Sequence, residues 1–110
     1  MINITIVKKN QTILTIEASG HSGYAEEGSD IVCSAVSTLM ISLINGLTDV
    51  VKIKPNVKVD EEIPLSYVNV PEEMSNEKVQ TLMQTTALAL KGLRDDGYSK
   101  FIKIKEKQHD

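Results

Sequence analysis

The chain opens in alternation. Ile2, Ile4 and Ile6 fall on one face and Asn3 and Thr5 on the other, the period-two pattern of a half-buried strand. After a polar Lys8-Lys9-Asn10-Gln11 turn, Thr12 to Ala18 resumes the pattern: Leu14, Ile16 and Ala18 oppose Thr15 and Glu17, and only Ile13 breaks the alternation. Together the two runs predict a β-hairpin. The next stretch, Gly20 to Ser29, holds Gly20, Gly23 and Gly28 and shows no periodicity, so it reads as a loop.

The period then changes. From Asp30 onward, apolar residues recur at Ile31, Val32, Ala35, Val36, Leu39, Met40, Leu43, Ile44 and Leu47, which is helical spacing. Asp30 is a suitable N-cap, its carboxylate able to accept from the free amides of the first turn. Ile41 widens the apolar arc, the remaining face (Ser34, Ser37, Ser42, Asn45) is small and uncharged, and no charge falls between Asp30 and Asp49. Such a helix is expected to be covered on more than one side. The stretch from Ile31 to Val51 is long, but its Ser, Thr, Asn, Gly and Asp residues argue against a membrane span.

Two short strands follow, Val57 to Asp60 and Leu65 to Val70, punctuated by Pro55, Pro64 and Pro71. Ser75 or Asn76 caps a second helix with Val79, Leu82, Met83, Thr86, Leu90 and Leu93 on its inner stripe, Gly97 closes it, and Tyr98 to Lys105 is the last strand. The predicted order is ββαββαβ, an α+β fold with two helices packed against a β-sheet. At 110 residues the chain is read as a single domain spanning 1–110.

Composition narrows the class. The apolar share of 41% and charged share of 25% are those of a globular protein. A net charge of −3 argues against a nucleic-acid surface, and Lys100, Lys103, Lys105 and Lys107, interleaved with Phe101, Ile102 and Ile104, read as the wet face of a strand. The N-terminus carries no basic stretch followed by an apolar one, and the single Cys cannot form an internal disulfide. Both features lead us to expect a cytoplasmic address.

Reactive side chains gather in one stretch, Gly20 to Ser37. Cys33 falls in the first turn expected for the long helix, where unpaired amides and the helix dipole favour the thiolate that attacks carbonyls. The chain has two His, of which His109 is next to the C-terminus while His21 stands where the second strand gives way to the loop. A strand-end His and a helix-start Cys joined by a loop can meet as the Cys/His pair of nucleophilic catalysis. The residues alone leave other readings open: Cys33 as a small buried hydrophobe, His21 as an ordinary loop residue, Asp30 as no more than a cap. One Cys and one His leave zinc short of ligands unless Glu26, Glu27 or Asp30 is drafted. No Gly-Lys-Ser/Thr sequence follows the glycines, so a phosphate loop is disfavoured.

At these residues the sequence resembles a known family. Gly20-His21-Ser22-Gly23-Tyr24, a short acidic loop, and Asp30-Ile31-Val32-Cys33-Ser34-Ala35-Val36-Ser37 are similar to the signature of the ribosomal-processing cysteine proteases (Prp) of bacteria. The likeness extends through Asn45-Gly46-Leu47 and the helix from Gln80 to Leu93. It implies a cysteine endopeptidase without metal or organic cofactor, with Cys33 as nucleophile, His21 as base, and Asp30, Ser37 and Gly20 in support. It further implies removal of the N-terminal leader of large ribosomal subunit protein twenty-seven through a thioester, and assembly as a homodimer. Asp30 then has two possible jobs, cap or orienter of His21. Ser22, Gly23, Tyr24, Glu26, Glu27 and Gly28 form the expected substrate loop, a mobile lid whose acidic pair suits a basic ribosomal protein. No contact with nucleic acid or membrane is expected. Two rival classes stand against this: a non-enzymatic ribosome-assembly or regulatory adaptor, which would tolerate Cys33→Ala, and a thiol redox sensor, for which the chain lacks a resolving Cys.

Overall fold

A computed structural model describes residues 1–20, 29–60 and 65–109, with the backbone alone at Ser29 and Asp30. The strands are β1 (Ile2–Lys9), β2 (Thr12–Ser19), β3 (Asn56–Asp60), β4 (Leu65–Asn69) and β5 (Ile102–Gln108). Two long helices, α1 (Ser29–Asn45) and α2 (Glu77–Leu93), interrupt them in the expected ββαββαβ order. The five strands form one sheet in the order β3-β4-β2-β1-β5, with β5 parallel to β1 and every other pairing antiparallel.

Alternation on β1 works as read: Ile2, Ile4 and Ile6 are buried. The irregularity at Ile13 has a structural cause. Val7 faces Thr15 and Lys8 faces Ile13, so Leu14 is an extra residue on β2, a β-bulge that lets Ile13, Leu14 and Ile16 all be buried. A bulge leaves ladder groups unpaired, and Gln80 of α2 supplies partners. Its Oε1 accepts from the Ile13 N–H and its Nε2 donates to the Ile13 carbonyl, both at 2.9 Å. Leu14 is served from the residue that follows β4, its carbonyl accepting from Val70 N–H at 2.8 Å. The hairpin itself turns at Asn10, which takes a left-handed φ of 56°, a conformation Asn tolerates.

Residues directly opposite on neighbouring strands share a face. One row therefore runs Ile104, Ile4, Ala18, Ser66, Val59, and the next runs Glu106, Ile6, Ile16, Val68, Val57. On this face, Ile4, Ile6, Ile16, Ala18 and Val68 join Val32, Val36, Met40, Leu43 and Leu47 of the α1 region and Val79, Met83, Ala87 and Leu90 of α2 in one core. The opposite face carries Thr5, Glu17, Tyr67, Lys58, Lys103 and Lys105, and among the described residues no helix covers it. β3 is one of the two edge strands and is exposed along its whole length.

By length and composition alone, Ile31–Val50 is apolar enough to cross a membrane. Its inner stripe is nevertheless the centre of the core, and inserting it in lipid would strip the sheet of its cover. At its end α1 continues through a wider turn, Gly46–Val50, in which the Thr48 hydroxyl donates to the Ile44 carbonyl at 3.0 Å. Lys52, with φ 66°, then reverses the chain.

Of the two caps expected for α2, Asn76 holds the position: its side chain accepts from the Val79 N–H at 2.9 Å. The Ser75 hydroxyl instead accepts from Gln80 Nε2. Gly97, at φ 105°, ends the helical path as expected. The last strand begins at Ile102 rather than Tyr98, because a further turn intervenes in which Phe101 N–H donates to the Tyr98 carbonyl at 3.0 Å. Phe101, buried, then accepts at its carbonyl from Ile2 N–H at 2.8 Å and starts the parallel ladder. At the far end, His109 N–H donates to the Lys8 carbonyl. Nearby, Lys8 and Lys91 both pair with Glu106, at 2.9 and 3.1 Å, and hold its carboxyl below the usual carboxylate range.

Candidate active site

At one end of the sheet, β1 begins, β2 and β3 finish, and β4 starts, and α1 passes over that end with its first turns. Between them lies a cleft of about 450 Å³. Cys33, Val36, Ser37 and Ile41 form its helical wall, and Ile2, Ala18, Ser19, Gly20, Val59, Asp60, Leu65 and Ser66 form its sheet wall. Cys33 is half-buried there.

Helix rotation accounts for the helical wall. Residues four apart stack along one face, so burial of Val32, Val36 and Met40 leaves the adjoining row Cys33, Ser37, Ile41 at the helix flank, along the cleft. The helix opens at Ser29, one residue earlier than expected. Asp30 is accordingly the second helical residue and not the residue that precedes the helix, and the cap position lies outside the described residues. Cys33 is the fifth helical residue, at the close of the first turn rather than on its free amides. Helical side chains lean back toward the N-terminus, so its thiol still points along the helix to that end.

Gly20 shapes the sheet wall. Its φ of +94° belongs to the left-handed side, and a Cβ placed there would stand 2.6 Å from the Met1 carbonyl oxygen. Conformation and close packing together demand glycine, which turns the chain out of β2 at the lip of the cleft.

Cys33, Ser37 and Gly20 are thus brought together. His21, Ser22, Gly23, Tyr24, Glu26, Glu27 and Gly28 lie outside the described residues, as does the expected lid. Gly20, Asp60 and Leu65, described residues next to the segments 21–28 and 61–64, line the cleft. Reading the sequence missed Ile41, Val59, Asp60, Leu65 and Ser66 as cleft residues. Ile41 had a usable signal in its spacing of eight from Cys33, whereas the strand residues had none until the β2–β4 and β3–β4 registers were known. Among the described residues, no group of three or more His, Cys, Asp or Glu side chains is placed to hold a metal ion.

Comparison with known proteins bears on the family and the fold. A family model described as cysteine protease Prp matches residues 1–103. The ribosomal processing cysteine protease Prp of Bacillus subtilis is 28% identical, over 87% of this chain and 89% of its own. Its Staphylococcus aureus namesake is 22% identical, over 97% of this chain and the whole of its own. Among solved structures, SMU.848 from Streptococcus mutans superposes with a TM-score of 0.87 at 29% identity, over 99% of this chain and 96% of its own. A Staphylococcus aureus ribosomal processing protease Prp, crystallised with a substrate peptide, gives 0.87 at 20% identity, over 97% of this chain and the whole of its own.

The geometry at Gly20 generates a prediction. Gly20→Ala should lower unfolding free energy by about 1–3 kcal/mol, the usual cost of forcing a side chain into such a conformation, before any relief of the Met1 contact. Urea denaturation of the two proteins with equal midpoints would contradict this.

Proposed function

The chain belongs to the cysteine protease Prp family, and from that premise we propose that it is an endopeptidase whose nucleophile is Cys33 and whose base is His21. One observation carries the assignment: a cysteine protease needs a cysteine, this chain has one, and it lines the cleft. In the proposed reaction, the thiol passes its proton to His21 as sulfur attacks the scissile carbonyl carbon. Collapse of the tetrahedral adduct expels the amine, which takes the proton from His21, and leaves a thioester on Cys33. Water, deprotonated by His21, then attacks the thioester and releases the acid and the thiol. Backbone amides of the first turn of α1 would stabilise the oxyanion. Asp30 and Ser37 support this pair, Asp30 from the helix start and Ser37 one turn beyond Cys33.

The substrate we propose is the N-terminal leader of large ribosomal subunit protein twenty-seven, processed in the cytoplasm. The relatives from Bacillus subtilis and Staphylococcus aureus carry ribosomal processing in their names, and the acidic Glu26 and Glu27 beside the signature suit a basic protein. We also propose a homodimer. Ile31 is 64% exposed, and a groove of about 590 Å³ between the helices is lined by Ala35, Leu39, Ala89, Gly92 and Leu93 among others, apolar surface of the kind a second copy would cover.

Incubation with the leader peptide, followed by mass spectrometry, should show a single cut. Cys33→Ala should abolish it while leaving the melting temperature within a few degrees, since the change removes one sulfur from a half-buried site. Chelator should have no effect. Persisting cleavage in Cys33→Ala would favour the adaptor reading with a contaminating protease, and loss with EDTA restored by zinc would require a metal mechanism instead. Sedimentation at tens of micromolar should give twice the chain mass of 12.1 kDa; a monomer mass would refute the dimer.

A further inference from the structure

The row that carries Cys33 does not end at Ser37. Ile41 continues it one turn further and lines the same cleft, yet 56% of its surface is exposed. Val59 stands on the other wall, 58% exposed. Its place in the sheet explains why. Val59 faces Ser66, which faces Ala18, so all three lie on the helix side of the sheet, and Ala18 is buried beneath the helices. Val59 is the outer end of that row, on a strand exposed along its whole length. A lone exposed aliphatic side chain is ordinary. Two β-branched ones on opposite walls of the cleft that holds the thiol form an apolar seat with its own address relative to the thiol.

That address follows from helix geometry. Eight residues of α-helix separate Cys33 from Ile41, an advance of about 12 Å at about 1.5 Å per residue. An extended peptide advances about 3.3 Å per residue, so it covers the same distance in about three to four residues. Ser37, between them, is small enough for a main chain to lie against the helix. Resting on the reading that Cys33 attacks the scissile bond, we propose that Ile41 and Val59 form a specificity pocket for one apolar side chain of the peptide, about three to four residues from the cut. This pocket sets the register of the substrate: filling it carries the scissile carbonyl to the thiol, and a polar side chain there leaves two aliphatic walls wet.

The test uses synthetic leader peptides carrying either Leu or Ser at the third or fourth position on each side of the cut. The readout is the ratio of kcat/KM for the Leu peptide to that for the Ser peptide. At one of these positions the wild-type ratio should reach about tenfold, the lower end of discrimination by an apolar pocket. Ile41→Ser and Val59→Ser should each pull the ratio toward one at that same position. Both side chains are exposed, so both variants should melt as wild-type does, and either alone suffices if the other fails to fold. A wild-type ratio near one at all these positions overturns the pocket, and so does a tenfold ratio that survives in both variants. A wild-type protein that cuts none of the peptides, the unsubstituted leader included, fails the proposed cleavage itself and takes the pocket with it.

Discussion

The site depends on the rotation of α1 about its own axis, and that rotation is fixed by burial. Val32, Val36, Met40, Leu43 and Leu47 are all within 4% of complete burial against the sheet. Burying an aliphatic side chain of this size is worth about 1.5–3 kcal/mol, so turning the helix by one residue, which would expose most of this row, is prohibitive. With the inner stripe held, the neighbouring row has no choice of direction. Cys33, Ser37 and Ile41 must stand at the flank, over the ends of β2, β4 and β3. The Cys33 thiol is therefore placed by residues that fill the core.

The sheet contributes the second half of the same arrangement. Its core rows are apolar across β1 and β2, and Val57 and Val59 carry them onto β3, which is exposed along its whole length. An open margin beside a helix flank makes a groove rather than a closed core, and the groove meets Gly20 where the chain must leave β2. The bulge at Leu14 and the Gln80 amide that satisfies Ile13 act at the opposite end of β2, where α2 is anchored. One end of the hairpin serves packing and the other serves the cleft. The solved relatives keep this fold at 20–29% identity, as expected when volume and pattern, rather than particular side chains, specify a core.

Much of this was legible in the residues. The period of the α1 segment named its buried stripe, and alternation named β1 and most of β2. The sequence around His21 and Cys33 named the family, which the match over residues 1–103 bears out. What was not legible depended on register or on competition between neighbours. The start of β5 moved from Tyr98 to Ile102 because Phe101 is spent on a turn before pairing with β1 begins. Asp30 lost the cap position because α1 gains a residue at Ser29, and helix ends are set by local backbone bonding that periodicity does not register. Val59 and Ser66 entered the cleft wall only through the β3–β4 and β2–β4 pairings, which no single segment encodes.

The central claim is that Cys33 is activated by His21, and the rate of thiol alkylation measures that activation without any substrate. Iodoacetamide should modify wild-type Cys33 at pH 6 faster than it modifies glutathione under the same conditions, and His21→Ala should remove most of the advantage. The chain has a single cysteine, so total label reports one site. Alkylation no faster than glutathione, or unchanged in His21→Ala, would contradict the account.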